Sequence, residues 1–409
     1  MSTVQTGRGA DGARSPETAP QASPDALSRC LDPVGADEFL AEYWEQRPLA
    51  VPRAEEGRFD DLLSVADVER LVSSGGLRTP GLRLVKEGGT ISETQYAREI
   101  SWRPKPFTGV VDPDRVAEAF TDGSTIVLQA LHHTWLPLAR FCRELESELG
   151  SGVQANSYYT PRRSQGFAVH HDTHDVFVLQ VAGEKHWRVY EPLLELPLKA
   201  QRWSPSLGEP GPMVLELTLR AGDTLYLPRG WLHDALTSDT DSLHITVGVT
   251  IHTWIDAFRA AIEECQDDVE FRRSVPGDGE PDVDLVARLA ARLDAEDVLL
   301  RARAKFVASR RAILDGHLEE VRELDSITVD SPLERRPTVI AELTEMTLSF
   351  EGKHLEFPAQ AREELEAIVE SEWPFTAAGL PGGLDEEGRL VLVRRLIREG
   401  FLRRSAGDA

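Results

Sequence analysis

The sequence predicts an α+β protein whose centre is a β-barrel or jelly roll. Short runs rich in Val, Leu, Tyr and Phe follow one another through 153–159, 166–172, 176–181, 185–190, 213–219, 224–227 and 243–249, with glycine or proline in most gaps. On either side the apolar residues fall at helical spacing instead: Phe39, Tyr43 and Trp44 before the runs, and Trp254, Phe258, Ile262 and Cys265 after them. A length of 409 residues suits two or three folded units rather than one.

Taken in order, residues 1–27 are rich in Gly, Ser, Pro, Ala and Gln and lack the basic patch plus apolar stretch of a secretory signal, so they read as a disordered tail. A second domain is expected over 28–253. It opens with a helical block from 31 to 73, in which Val65, Val68 and Leu71 give a second apolar face, closed by Gly75-Gly76. Residues 82–85 and 125–128 are β-like, and the amphipathic stretch 136–149 reads as a helix between strands. Within the barrel, Ala182-Gly183-Glu184 and Arg220-Ala221-Gly222-Asp223 read as hairpin turns. Three helices are expected over 254–325, the last carrying Phe306, Ile313, Leu314, Leu318 and Val321, with a loop at 275–283 between the first two. A small mixed unit fills 326–409, with a hairpin around Glu351-Gly352, helices near 359–370 and 385–398, and Gly400 capping the second.

Acidic residues outnumber basic ones, 69 against 45, and the net charge of −24 repels phosphate backbones and anionic lipid over most of the surface. A basic partner fits better. No stretch approaches the roughly 18 consecutive apolar residues that a membrane span requires. Cys30, Cys142 and Cys265 are odd in number and form no CxxC pair, which argues against a disulfide framework or zinc knuckle and for a reducing, cytoplasmic setting.

The stretch that carries chemistry is Gly166-Phe-Ala-Val-His170-His-Asp172. On a strand, residues two apart share a face, so His170 and Asp172 can bind one metal. His233, after the Pro228-Arg-Gly230 turn, supplies a third ligand. Two histidines and one carboxylate leave coordination positions open, as a non-haem iron(II) oxygenase needs, whereas a structural zinc site would take a fourth protein ligand. A lone His-x-Asp is commonplace and usually carries no metal; its coupling to the downstream Pro-x-Gly-x-x-His gives it weight. His171 points to the opposite face and reads as structural. His174 continues the alternation towards the metal or substrate, His132-His133 reads as a packed or surface pair, and Asp175 opens the next strand.

These segments resemble the JmjC-type ribosomal oxygenases, a branch of the cupin-like 2-oxoglutarate oxygenases. The likeness runs through Glu38-Phe-Leu-Ala-Glu-Tyr-Trp44 to Leu49, Asn156-Ser-Tyr158-Tyr-Thr-Pro, Ser164 to Asp172, Val176 to Arg188, Leu227-Pro-Arg-Gly230-Trp-Leu-His233 and Ser242-Leu-His244-Ile-Thr246. It implies a double-stranded β-helix (jelly-roll, cupin) core over 28–253, a helical dimerisation region over 254–325 and a winged-helix-like domain over 326–409. It implies iron(II), held by His170, Asp172 and His233, with 2-oxoglutarate and O₂ as cosubstrates. Lys185 stands where the family binds the far carboxylate of 2-oxoglutarate. Asn156 and Tyr158 match residues that donate hydrogen bonds to it, and His244 matches a position near it. Without the resemblance, Lys185 would read as a lysine snorkelling at a hairpin end beside Glu184.

The implied reaction is hydroxylation of a C–H bond on an Arg or His side chain of a ribosomal protein, or demethylation if that carbon is an N-methyl group. A peptide natural product or small metabolite as substrate, a cupin of another reaction type using zinc or manganese, and a regulatory protein gripping DNA with its last unit are the alternatives. Acids outnumber bases within 326–409, which disfavours nucleic acid; Arg394, Arg395, Arg398, Arg403 and Arg404 read as a solvated face. A homodimer is implied by resemblance alone.

Overall fold

The computed structural model describes residues 25–74, 76–101, 103–275, 283–371 and 374–405. Residues 1–24 of the expected tail, Gly75, and 276–282 of the expected loop lie outside this set. Ala26 and Leu27 do not belong to a tail: they open α1 (Ala26–Leu31), where their amides bond the Glu148 carboxylate and Leu27 is buried. Next come α2 (Ala36–Glu42), β1 (Leu49–Val51) and α3 (Val65–Ser73), the last started by a reciprocal Ser64–Asp67 capping box. The expected helical block is thus interrupted. Leu49 and Val51, flanked by Pro48 and Pro52, instead pair with a barrel strand and bury themselves there.

The chain then forms β2 (Leu82–Lys86), β3 (Gly89–Thr90), β4 (Ala97–Ile100), β5 (Phe107–Val111), α4 (Pro113–Thr121), β6 (Thr125–Leu128) and α5 (Leu136–Leu149). The barrel proper comprises β7 (Gly152–Thr160), β8 (Asp175–Tyr190), β9 (Met213–Arg220), β10 (Thr224–Leu227), β11 (Leu232–Leu236) and β12 (Ser242–Thr250). One face of the fold is an antiparallel sheet ordered β1-β10-β8-β12-β7-β6-β2-β3, and β9 and β11 flank the far half of β8 to make the other face.

The expected hairpin turn at 182–184 is absent because β8 is one continuous strand of 16 residues that belongs to both faces. Its first half pairs with β10 and β12, its second with β9 and β11. On β12, Leu243 and His244 are adjacent, yet their partners Ala182 and Gln180 are two apart, so Val181 is an extra residue, a β-bulge. The bulge reverses the alternation. Val176 and Val178 before it and Trp187 and Val189 after it therefore share the barrel interior with Leu225 and Leu227, while Phe177, Leu179 and Val181 join the other core, beneath the N-terminal helices. The 220–223 turn does exist, closed by the Asp223 amide on the Arg220 carbonyl, but it passes the chain from β9 to β10, which pair with β8 and not with each other. The expected strand at 166–172 reduces to isolated pairings of Gln165 with Leu236 and of His170 with His233.

After the barrel, the described residues form four α-helices where three are expected: α6 (Trp254–Glu263), α7 (Val283–Arg292), α8 (Ala295–Ser309) and α9 (His317–Arg322). The run from Phe306 to Val321 breaks before Gly316, whose φ of 75° no helix interior accommodates. The last unit has its own core around Leu348, Phe350, Leu365, Leu396 and Phe401. It holds β13 (Leu333–Arg335), a three-stranded sheet of β14 (Ala341–Thr344), β15 (Thr347–Phe350) and β16 (Lys353–Glu356), then α10 (Arg362–Glu370), α11 (Glu386–Arg398) and β17 (Leu402–Arg404). Glu351 and Gly352 make the β15–β16 turn with positive φ. Gly400 ends α11 as expected: its amide bonds Ile397 and that of Phe401 bonds Leu396, the paired bonds of a Schellman motif.

Candidate metal centre

Three backbone hydrogen bonds join the two segments that carry the expected ligands. His170 and His233 donate to each other's carbonyls at 3.1 and 2.8 Å, and the Gly230 amide donates to the Asp172 carbonyl at 3.0 Å. The Pro228–Gly230 turn is itself anchored from beneath. Asp175, fully buried, accepts from the Tyr226 hydroxyl at 2.5 Å and from Arg229, whose guanidinium also pairs with Glu45. Asp175 thus opens β8, as expected, and also holds the turn in place.

The result is a close cluster. The ligand atoms of His170, Asp172 and His233 lie within 4.8 Å of one another. Both imidazoles direct Nδ1 at a backbone carbonyl, His170 at Ala168 (2.8 Å) and His233 at Trp231 (3.0 Å). A carbonyl only accepts, so Nδ1 carries the proton and the Nε2 lone pair is left for a metal. Burial, with His170 alongside, lowers the His233 pKa to about 4 and keeps that ring neutral. Burial alone would raise Asp172, but the surrounding histidines, His174 and His170 foremost, outweigh it and hold the carboxyl below the usual carboxylate range. Two imidazole nitrogens and one carboxylate are a donor set that would hold iron(II).

The cavity lined by these three residues, about 210 Å³, lies between the two faces of the barrel. It is smaller than a drug-sized site and suits a compact ligand. Lys185 reaches into it from the second half of β8, 5% exposed, with only the Thr160 hydroxyl as a hydrogen-bond partner at 3.1 Å. Among the described residues no carboxylate pairs with it, and burial lowers its pKa to about 7. A buried ammonium without a counter-charge is costly, so this cation is provided for an anion. Tyr158 and His244 face each other across β7 and β12 with stacked rings 4.9 Å apart. Burial, aided by the Asp172 charge, pushes the Tyr158 hydroxyl up to about 12, so it remains a donor. His244 is held well below its ordinary value by burial and then by Lys185, and its Nδ1, like Trp187 Nε1, is buried without a hydrogen-bond partner.

Not every expected residue joins this group. Asn156 lies outside the cavity lining, and its Oδ1 accepts from the Ala130 amide at 2.9 Å, supporting the backbone before α5. His171 is buried against Trp203 with Nε2 near the Gln201 carbonyl. His174 faces an outer cleft, its ring so near β12 that a Cβ on Gly248 would meet it at 2.4 Å. His132 accepts from the Ala155 amide and packs against the tilted ring of His133. One lining cation escapes the sequence reading: Arg83 of β2, stacked on Phe167 at 5.3 Å. Its signal is the alternation Leu82, Arg83, Leu84, in which both leucines are fully buried on the opposite side.

A jelly-roll barrel with a His-Asp-His cluster on its inner wall defines a cupin-type metal-site protein, and comparison with known proteins narrows the class. Residues 130–257 match the JmjC domain family. Ribosomal oxygenase 1 of Gallus gallus is 35% identical over 258 residues, covering 60% of this chain and 41% of that protein. The bifunctional lysine-specific demethylase and histidyl-hydroxylase NO66 of Drosophila persimilis is 33% identical over 222 residues, covering 54% and 31%. Among solved structures, the Escherichia coli ribosomal oxygenase YcfD in complex with cobalt and 2-oxoglutarate superposes with a TM-score of 0.56 at 17% identity, over 90% of this chain and 98% of that one. The chain spans less than half the length of these two curated relatives. Over its barrel it is similar to the JmjC-domain ribosomal oxygenases. Among the described residues, no helix is long and apolar enough to cross a membrane.

Proposed function

We propose that the chain is an iron(II)- and 2-oxoglutarate-dependent oxygenase that hydroxylates an Arg or His side chain of a ribosomal protein. The observation that carries this reading is the pairing, in one small cavity, of a two-histidine, one-carboxylate cluster with a buried lysine that has no carboxylate partner. In this reading His170, Asp172 and His233 are the metal ligands. Lys185 receives the far carboxylate of 2-oxoglutarate, with Tyr158 and His244 beside it. Asn156 acts at one remove, by supporting the segment at Ala130. Iron(II) with 2-oxoglutarate supplies the activation of O₂ needed to oxidise a C–H bond. The protein's part is to fix both imidazole rings through their Nδ1 protons, hold a cation at the closed end and line the space between with Val176, Val178 and Trp187, which keep water out.

Relatives named for ribosomal oxygenation and histidyl hydroxylation support the substrate class. The demethylase in the name of the second supports N-methyl removal as a second reading. Intact masses of ribosomal proteins from cells with and without this chain test both. One added oxygen is expected on one protein. Loss of a methyl group would favour demethylation, and no difference would move the substrate to another class. A homodimer through the exposed apolar residues of α6, Trp254, Ile255, Phe258 and Ile262, a winged-helix-like unit that does not engage nucleic acid, and a cytoplasmic setting suited to three free buried thiols belong to the same proposal.

A further inference from the structure

The metal cavity opens through Phe167, His170 and Asp172 into a cleft of about 1370 Å³, walled by the 197–203 loop and by α6 and α8. Four cations stand on its walls, Lys199, Arg202, Arg259 and Lys305. All four are exposed and none makes a hydrogen bond or close ion pair among the described residues, although Arg259 lies near enough to Asp256, three positions earlier on α6, to help lower its pKa. The other charges of the cleft are committed. Asp172 belongs to the metal cluster, Asp256 accepts from the Thr253 amide and hydroxyl at the start of α6, and Arg229 is paired with Asp175 and Glu45.

This local balance is opposite to that of the whole chain, which carries −24. Four unpaired cations around one concavity repel one another, and in an acid-rich protein arginines commonly find carboxylates, as Arg58, Arg143 and Arg310 do. Their convergence at an opening beside the ligand cluster gives the cleft a positive field directed at whatever approaches the metal. We propose that the substrate segment that enters this cleft is a peptide bearing carboxylates next to the residue that is oxidised. The proposal rests on the oxygenase reading and names the local chemistry of its substrate: the protein substrate can be basic as a whole, but the stretch threaded past Trp203 and Phe167 is acidic. Such pairs contribute mostly to register and encounter rate and modestly to affinity. A nucleic acid fits less well. Its phosphates extend far beyond the cleft, over a surface whose acids repel them within the roughly 8–10 Å reach of unscreened charge.

The test uses the full chain as its anaerobic complex with iron(II) and 2-oxoglutarate, and three fluorescent probes followed by anisotropy: hexaglutamate, hexalysine and a short single-stranded DNA. Hexaglutamate is expected to bind about tenfold more tightly than hexalysine, and the double variant R202E/R259E to lose that preference. The neutral variant R202Q/R259Q, with an intermediate loss, guards against a folding defect. Tighter binding of hexalysine, or an unchanged preference in both variants, overturns the proposal. Tighter binding of DNA than of hexaglutamate overturns it in favour of a phosphate ligand. Iron(II)-dependent binding of 2-oxoglutarate by the parent protein reports on the oxygenase reading separately: its absence would remove that reading without altering what the probes say about the cleft.

Discussion

His170 and His233 exchange two backbone hydrogen bonds, of 3.1 and 2.8 Å, and send their rings to the same side with centroids 4.5 Å apart. The pairing uses main-chain atoms alone. It therefore preorganises two ligands before any metal arrives, and it survives truncation of either side chain.

His233→Ala should consequently leave the fold intact while removing the metal. Cobalt(II) titration followed by visible absorption is expected to show at least about a hundredfold weaker binding, with iron-dependent succinate formation reduced in proportion. The melting temperature without metal should stay close to that of the parent. Retained cobalt affinity would remove His233 from the centre.

Lys185 makes the site sensitive to pH in a definite direction. Its pKa, lowered by burial to about 7, means that the ammonium is lost as pH rises through neutrality, and an anion needs the charged form. The KM for 2-oxoglutarate should therefore rise between about pH 7 and 9, and Lys185→Arg, which stays charged, should flatten the profile. The same depression means that the unfolded chain holds this proton up to its ordinary lysine value. Stability without ligand therefore rises with pH across the window between the two values, and Lys185→Met should remove that rise. A KM independent of pH in the parent would separate Lys185 from 2-oxoglutarate.

Gly230 combines a φ of 91° with a close approach: a Cβ there would meet the Leu194 carbonyl at 2.5 Å and Pro197 at 2.8 Å. Gly230→Ala should cost on the order of 1–3 kcal/mol in urea denaturation. Because the Gly230 amide holds the Asp172 carbonyl, cobalt affinity should fall along with stability. A stable variant with unchanged cobalt binding would show that the turn does not set the position of Asp172.

The His-Asp-His cluster is legible in the sequence because its members sit in short motifs and because a histidine two residues before an aspartate needs only an extended backbone to share a face with it. Lys185 is legible through its place in the family motif, alternating with Trp187 and Val189; residue type alone would leave it a lysine at a hairpin end. Other features depend on pairings that a linear reading does not contain. Arg83 comes from a strand far upstream, and Lys199, Arg202, Arg259 and Lys305 come from a loop and two helices on either side of the last barrel strands. Asn156 illustrates the converse: its place in the motif matches the family, but it lies outside the cavity lining, where its Oδ1 accepts from the Ala130 amide. The turn expected at 182–184 fails for a related reason. Ala-Gly-Glu is a sound turn sequence, yet both halves of β8 find separate partners and the strand has no need to fold back.

The extra residue at Val181 has a consequence for how this barrel can change. Val178 and Lys185 are seven positions apart in the numbering, an odd interval, and face the same interior only because one residue between them is not counted by the pleat. Deleting the uncounted residue itself would leave an even interval of six and keep the lysine inside, whereas inserting a residue while the bulge persists, or straightening the bulge at unchanged length, would turn the lysine out to solvent and bring Glu184 or His186 inward. Changes of two residues would keep the lysine inside. Length variation in this crossing is therefore constrained by parity more than by size, and a one-residue insertion that leaves the bulge in place is a sharper lesion to the cavity's cation than most substitutions in its wall.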